Sequence, residues 1–147
     1  MSRTGFIDHI GIGVPDLAAA KKYYDELMTV LGFREWFETG PAGPLNYGPD
    51  GALGSQVFFY QASEPVPYSR HGTGLQHVAF AVASRAIVRE AHEWACARNA
   101  KILHRPRNFP EYGQHYATYW LDPHGFMLEV VCHEAEDSDA LLRRRVV

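Results

Sequence analysis

A chain of 147 residues with 46% hydrophobic content has material for one compact domain or two half-size modules sharing a core, which excludes a disordered or coiled-coil protein. A charged fraction of 21% and a formal net charge of −3 leave no basic excess to neutralise phosphates, so nucleic acid is excluded as the main partner in favour of a small neutral or anionic molecule. Cys96 and Cys132 form no C-x-x-C pair, and the start has no apolar leader, so the expectation is a cytoplasmic protein with neither a disulfide framework nor a membrane partner.

The chain repeats itself. Ile7-Asp8-His9-Ile10-Gly11-Ile12-Gly13-Val14 is echoed 68 residues later by Leu75-Gln76-His77-Val78-Ala79-Phe80-Ala81-Val82, two short strands with histidine third in each. After the first, Asp16 reads as the N-cap of a helix carrying Leu17, Ala20, Tyr24, Leu27 and Leu31 at helical spacing, stopped by Gly32. Three strands follow, about residues 33–38, 45–47 and 56–62. The connection from Thr39 to Gly54 carries five glycines and three prolines, a mobile or ligand-edge loop. After the second strand, Ser84 caps a helix that buries Ile87, Val88, Ala91, Trp94 and Ala95 and ends at Asn99 in a left-handed conformation. Strands at about 101–105, 115–121 and 126–133 complete this half. The last two are joined by the turn Asp122-Pro123-His124-Gly125. Each half is therefore a βαβββ unit, module one about 6–62 and module two about 75–133, in an α+β domain spanning 6–133. Residues 134–147 read as a solvated C-terminal tail or short terminal helix.

Side chains alternate across a strand, so His9 shares a face with Gly11 and Gly13, and His77 with Ala79 and Ala81; Ile10, Ile12, Val14, Val78, Phe80 and Val82 point the other way. Small residues beside each histidine suit a concave pocket, and bulky ones opposite suit packing on a helix. Two neutral imidazoles holding a divalent metal need a carboxylate to complete the set. Glu129, inside the apolar strand Phe126–Cys132, is the natural third ligand, because an ionised Glu buried there unpaired would be costly. Of the other histidines, His71, His104 and His124 are expected to face solvent. His115, Tyr112, Tyr116 and Tyr119 cluster before and within the strand preceding that of Glu129, where some reach the pocket.

Paired βαβββ modules, a strand histidine opening each, and the late D-P-x-G-x-x-x-E segment Asp122–Glu129 resemble the vicinal oxygen chelate superfamily of glyoxalases, fosfomycin- and bleomycin-resistance proteins and extradiol dioxygenases. The resemblance covers residues 6–133. It implies a glyoxalase-like cup of paired modules around one divalent metal (Fe, Mn, Zn or Ni), held by His9, His77 and Glu129, and a homodimer. It implies an enzyme of lyase, isomerase or thiol-transferase type acting on a small molecule chelated through vicinal oxygens. Two alternatives are an extradiol-type Fe(II) dioxygenase, supported by Tyr119 ten residues before Glu129, and a metal-free drug-binding resistance protein, supported by the aromatic load. His115 and Tyr119 are the candidate catalytic groups, and Tyr112, Tyr116 and Phe58 the candidate substrate contacts. The last strand of module one, Gln56–Gln61, carries no acid, and the 68-residue offset from Glu129 points to Gln61 as the counterpart of that ligand.

Overall fold

The computed structural model describes residue 5 and residues 7–50 and 55–135; most of the expected C-terminal tail lies outside the described residues. The chain divides into two compact units, Met1–Pro67 and Tyr68–Val147. Each is a helix on one mixed four-stranded sheet.

The first unit comprises β1 (His9–Val14), α1 (Leu17–Leu31), β2 (Phe33–Glu35), β3 (Leu45–Pro49) and β4 (Gln56–Gln61), in sheet order β1-β4-β3-β2. Asp16 caps α1 by accepting from Ala19 N at 2.9 Å, and Gly32 ends it at φ 75°, a left-handed conformation that glycine adopts without steric cost. The helix buries Ala20, Tyr24, Leu27, Met28 and Leu31, the spacing read in the sequence. Tyr24 stacks on Phe59 of β4, with ring centroids 4.0 Å apart. On β1, Ile12 and Val14 are buried and His9, Gly11 and Gly13 exposed, as alternation demands, but Ile10 at the strand start stays 36% exposed. Strand β2 stops at Glu35, short of the expected residue 38, because the next two backbone N–H groups leave the ladder. Trp36 N and Phe37 N both donate to Asn46 Oδ1, at 3.0 and 3.1 Å, and Asn46 Nδ2 donates to Phe37 O at 2.8 Å. A fully buried asparagine thus stands in for a strand partner.

The second unit comprises β5 (Val78–Ala81), α2 (Arg85–Ala97), β6 (Lys101–Asn108), β7 (Tyr116–Leu121) and β8 (Met127–Cys132), in sheet order β5-β8-β7-β6. A 3-10 turn over Pro110–Tyr112 joins β6 to β7. Ser84 caps α2, and Asn99 follows it at φ 56°. Val88, Ala91 and Ala95 are buried, while Ile87 and Trp94 are only half-buried. Strand β5 begins at Val78, so His77 sits just before it. The β7–β8 turn forms as read: Asp122 Oδ1 accepts from His124 N and Phe126 N at 2.9 and 2.8 Å, and Gly125 takes φ 90°. Trp120, Leu128 and Val130 are buried on one face of the sheet; Tyr119, Met127 and Val131 of the other face form a core cluster with Ala117 and Phe109.

Candidate functional site

The strand register lays a row of side chains across the second sheet. Ala79 of β5 pairs with Glu129 of β8, Glu129 with Tyr119 of β7, and Tyr119 with His104 of β6. The middle pair places a carboxylate beside a phenol, and Ala79 leaves room at one end. Glu129 is 3% exposed, so its charge needs partners. His115 Nε2 donates to Oε1 at 2.6 Å, and His77 Nε2 lies 3.1 Å from Oε2. The Tyr119 hydroxyl also bonds to this carboxylate, and burial followed by that bond raises the phenol well above its ordinary range, so it stays protonated. His115 Nε2 is 3.4 Å from the same hydroxyl.

These groups open into a cavity of about 560 Å³, whose wall also includes Arg70, Gln76, His104, Arg107, Glu111 and Tyr112. Of the residues chosen from sequence, His77, Glu129, His115, Tyr119 and Tyr112 are brought together here. Tyr116 is not. It points to the opposite face of β7, beneath the Arg85 guanidinium at 4.8 Å, because it stands three positions before Tyr119 and an odd step in a regular strand reverses the face. His104, expected to face solvent, is exposed; it also lines the cavity, where it meets Tyr119 edge-on at 5.4 Å.

His9 and Phe58 belong to the first unit, where their rings lie 5.2 Å apart. Phe58 stacks in turn on Tyr60. The register here corrects the offset reading. Glu129 pairs with the residue two after His77, and the residue two after His9, Gly11, pairs with Phe58. The counterpart of Glu129 is therefore an apolar ring. Gln61 serves the backbone: its Oε1 accepts from Leu17 N at 3.0 Å and its Nε2 donates to Pro15 O at 2.9 Å, tying β4 to the start of α1.

One feature recurs in both units. The residue before each histidine accepts from Nδ1: Asp8 Oδ2 for His9, at 2.7 Å, and Gln76 Oε1 for His77. Such a partner places the ring proton on Nδ1 and leaves the Nε2 lone pair outward, as metal-ligating imidazoles require. At His77 that lone pair faces Glu129 Oε2 at 3.1 Å, a repulsive contact that a bound cation relieves. The donor chemistry of His77 and Glu129 thus fits a divalent ion. Among the described residues, however, no three His, Cys, Asp or Glu side chains stand around a common point as a bound ion needs. Glu129 and His115 bond one another directly, with His77 Nε2 beside the other carboxylate oxygen.

Two βαβββ units, each opened by a histidine held through Nδ1, and a buried glutamate on the last strand of the second define a glyoxalase-type protein. The model of the Glyoxalase/Bleomycin resistance protein/Dioxygenase superfamily matches residues 6–130, and the chain belongs to that superfamily. It is 29% identical over 127 residues to the uncharacterized protein YqjT of Bacillus subtilis, covering 84% of this chain and 95% of that one. A candidate glyoxalase from Bacillus halodurans is 26% identical and superposes with a TM-score of 0.72, over 87% of this chain and 96% of the other. A glyoxalase/dioxygenase from Nostoc punctiforme shares the fold at 22% identity and a TM-score of 0.68, over 88% and 92% of the two chains. No helix among the described residues is long and apolar enough to cross a membrane.

Proposed function

We propose that this chain is a divalent-metal-dependent enzyme of glyoxalase-like type, a lyase, isomerase or thiol transferase acting on a small molecule through two neighbouring oxygens. The observation that carries the reading is buried Glu129 facing Nε2 of a histidine whose other nitrogen is committed to Gln76. His77 and Glu129 would hold the ion, and His9 is the ligand that the resemblance draws from the first unit. When bound, the ion supplies Lewis-acid stabilisation of negative charge developing on the substrate oxygens. His115, beside the carboxylate on the cavity wall, is the group placed to move a proton to or from the substrate. Tyr119, kept protonated, donates to Glu129 and fixes its orientation, which makes it a hydrogen-bond donor and not a base. Tyr112, 5.4 Å from the His115 ring and 68% exposed, stands where the substrate enters. The same resemblance carries a homodimer, to be checked by light scattering.

The test is elemental analysis of untagged protein purified anaerobically without chelator, beside His9→Ala, His77→Ala and Glu129→Gln. The expected result is about one equivalent of iron, manganese, zinc or nickel that all three variants lose. Iron would direct assays to oxygen uptake on catechols, the extradiol alternative; the other metals direct them to lyase and isomerase substrates. No metal as purified and no uptake of any of these ions would overturn the enzymatic reading. A metal-free ligand-binding protein is the second reading, favoured by the exposed aromatic face of the first unit, where Phe37, Phe58 and Tyr60 are in ring contact. Ligand affinity indifferent to chelator, followed by tryptophan fluorescence, would support it.

A further inference from the structure

Strand β6 contains two irregularities in its pairing with β7, one between Ile102 and His104 and one between His104 and Arg107. His104 and Arg107 are an odd step apart, so a regular strand would send them to opposite faces; the second irregularity, which contains Pro106 on the sheet edge, turns both into the same cavity. There the Arg107 guanidinium lies 4.0 Å over the Phe109 ring. Arg70, on the segment leading to β5, reaches the same cavity and spends one N–H on Met127 Sδ at 3.5 Å, a weak acceptor. Among the described residues neither guanidinium is paired with a carboxylate. Glu129 is already engaged by the His115 imidazole and the Tyr119 phenol, and Glu111, the other acid on the wall, pairs with neither arginine. Two guanidiniums on one cavity wall without a carboxylate partner leave their N–H groups available to an anion.

Resting on the function proposed above, we infer that the substrate carries an oxyanion group, carboxylate or phosphate-like, and that Arg70 and Arg107 of the cavity wall hold it. The substrate is then bifunctional. It bears the two neighbouring oxygens that meet Glu129 and its histidines, and also the anion that selects and orients it. A cavity of about 560 Å³ suits such a metabolite-sized ligand. Arginine is suited to this task because its fork matches two oxygens of one anion, which a lysine cannot do.

The experiment is calorimetric titration of the full chain, in chelator and at fixed salt, with phenylphosphonate, benzoate and the neutral benzyl alcohol. It is repeated on Arg70→Met, Arg107→Met and Arg107→Lys. The expected result is that the anions bind more tightly than benzyl alcohol, that each methionine variant weakens them about tenfold or more, and that the alcohol is unaffected. Arg107→Lys falls between wild type and Arg107→Met. A preference for phenylphosphonate assigns a phosphate-like group, and one for benzoate a carboxylate. Anion affinity unchanged in both methionine variants, or no preference over benzyl alcohol, overturns the inference. Because the titration is made without metal, an arginine-dependent anion site in a chain that takes up no metal would leave this inference standing and remove the metal reading alone.

Discussion

Gln76 is not a metal-ligating residue type and Asp8 is spent on its neighbour, yet each fixes which nitrogen of its histidine carries the proton. On the metal reading, Gln76→Ala and Asp8→Ala lower metal affinity by about 10–100-fold while leaving the folded structure intact, measured by competition with a chromophoric chelator. Both residues stand at the same place in the two repeats, immediately before the histidine, and that shared position is the sequence signal for their role. Glu129 was legible for a physical reason: an ionisable residue in the middle of an apolar strand has few explanations. That His104 and Arg107 share one cavity was not, since alternation is the rule by which faces are read and an edge-strand bulge suspends it. Pro106 inside the run was the available warning. The role of Phe58 as the counterpart of Glu129 needed the register, because insertions between strands make a fixed sequence offset unreliable.

Helix α2 and strand β7 are joined by a polar chain that sequence patterning does not reveal. Thr118, fully buried on β7, donates its hydroxyl proton to His104 O at 2.9 Å, so His92 Nδ1 donates to Thr118 Oγ1 at 3.2 Å. Nε2 of His92 then accepts from Cys96 Sγ at 3.5 Å, four residues along the same helix. Burial, reinforced by the Arg105 charge and opposed by Glu93, lowers the pKa of His92 below the ordinary 6.5. The unfolded chain therefore binds the proton more readily than the folded one. The stability tied to neutral His92 is complete above the unfolded value and is lost as pH falls through the lower folded value. The melting temperature of the wild type is expected to drop more between pH 7.5 and pH 5.5 than that of His92→Gln; parallel slopes would show that the imidazole is not the group responsible. The elements themselves followed from apolar spacing, caps and turn residues, as α1 between Asp16 and Gly32 shows. Strand ends did not: β2 ends where Asn46 takes its N–H groups, and nothing local to residues 36–38 announces a partner ten positions on.

For the whole molecule, charge and repeat give different kinds of information. The formal net charge of −3 and a pI near 6.2 describe the surface as a field, and they predict no retention on heparin or DNA at about 0.1 M salt, even though Arg70 and Arg107 concentrate positive charge locally. Salt-sensitive retention would mean that basic groups form a continuous track. The repeat gave the architecture twice over, because finding the same pattern in both halves made each assignment evidence for the other. It did not give the division of chemistry between them, since two copies of one topology carry an aromatic ring and a carboxylate at the same register position.

In each unit the strand synthesised last lies inside the sheet, β4 between β1 and β3, and β8 between β5 and β7. During synthesis the opening strand of each unit therefore waits with its inner edge unpaired while a helix and two further strands emerge, and only then is the gap filled. For the second unit the filling strand is also the one that carries Glu129, so the buried charge arrives at the moment the sheet closes. A chain halted before Met127 would hold His77, Tyr119 and both cavity arginines yet present β5 as a bare edge, open to the strands of other chains. The step that completes the chemistry of this pocket is thus the same step that covers the inner edge of β5.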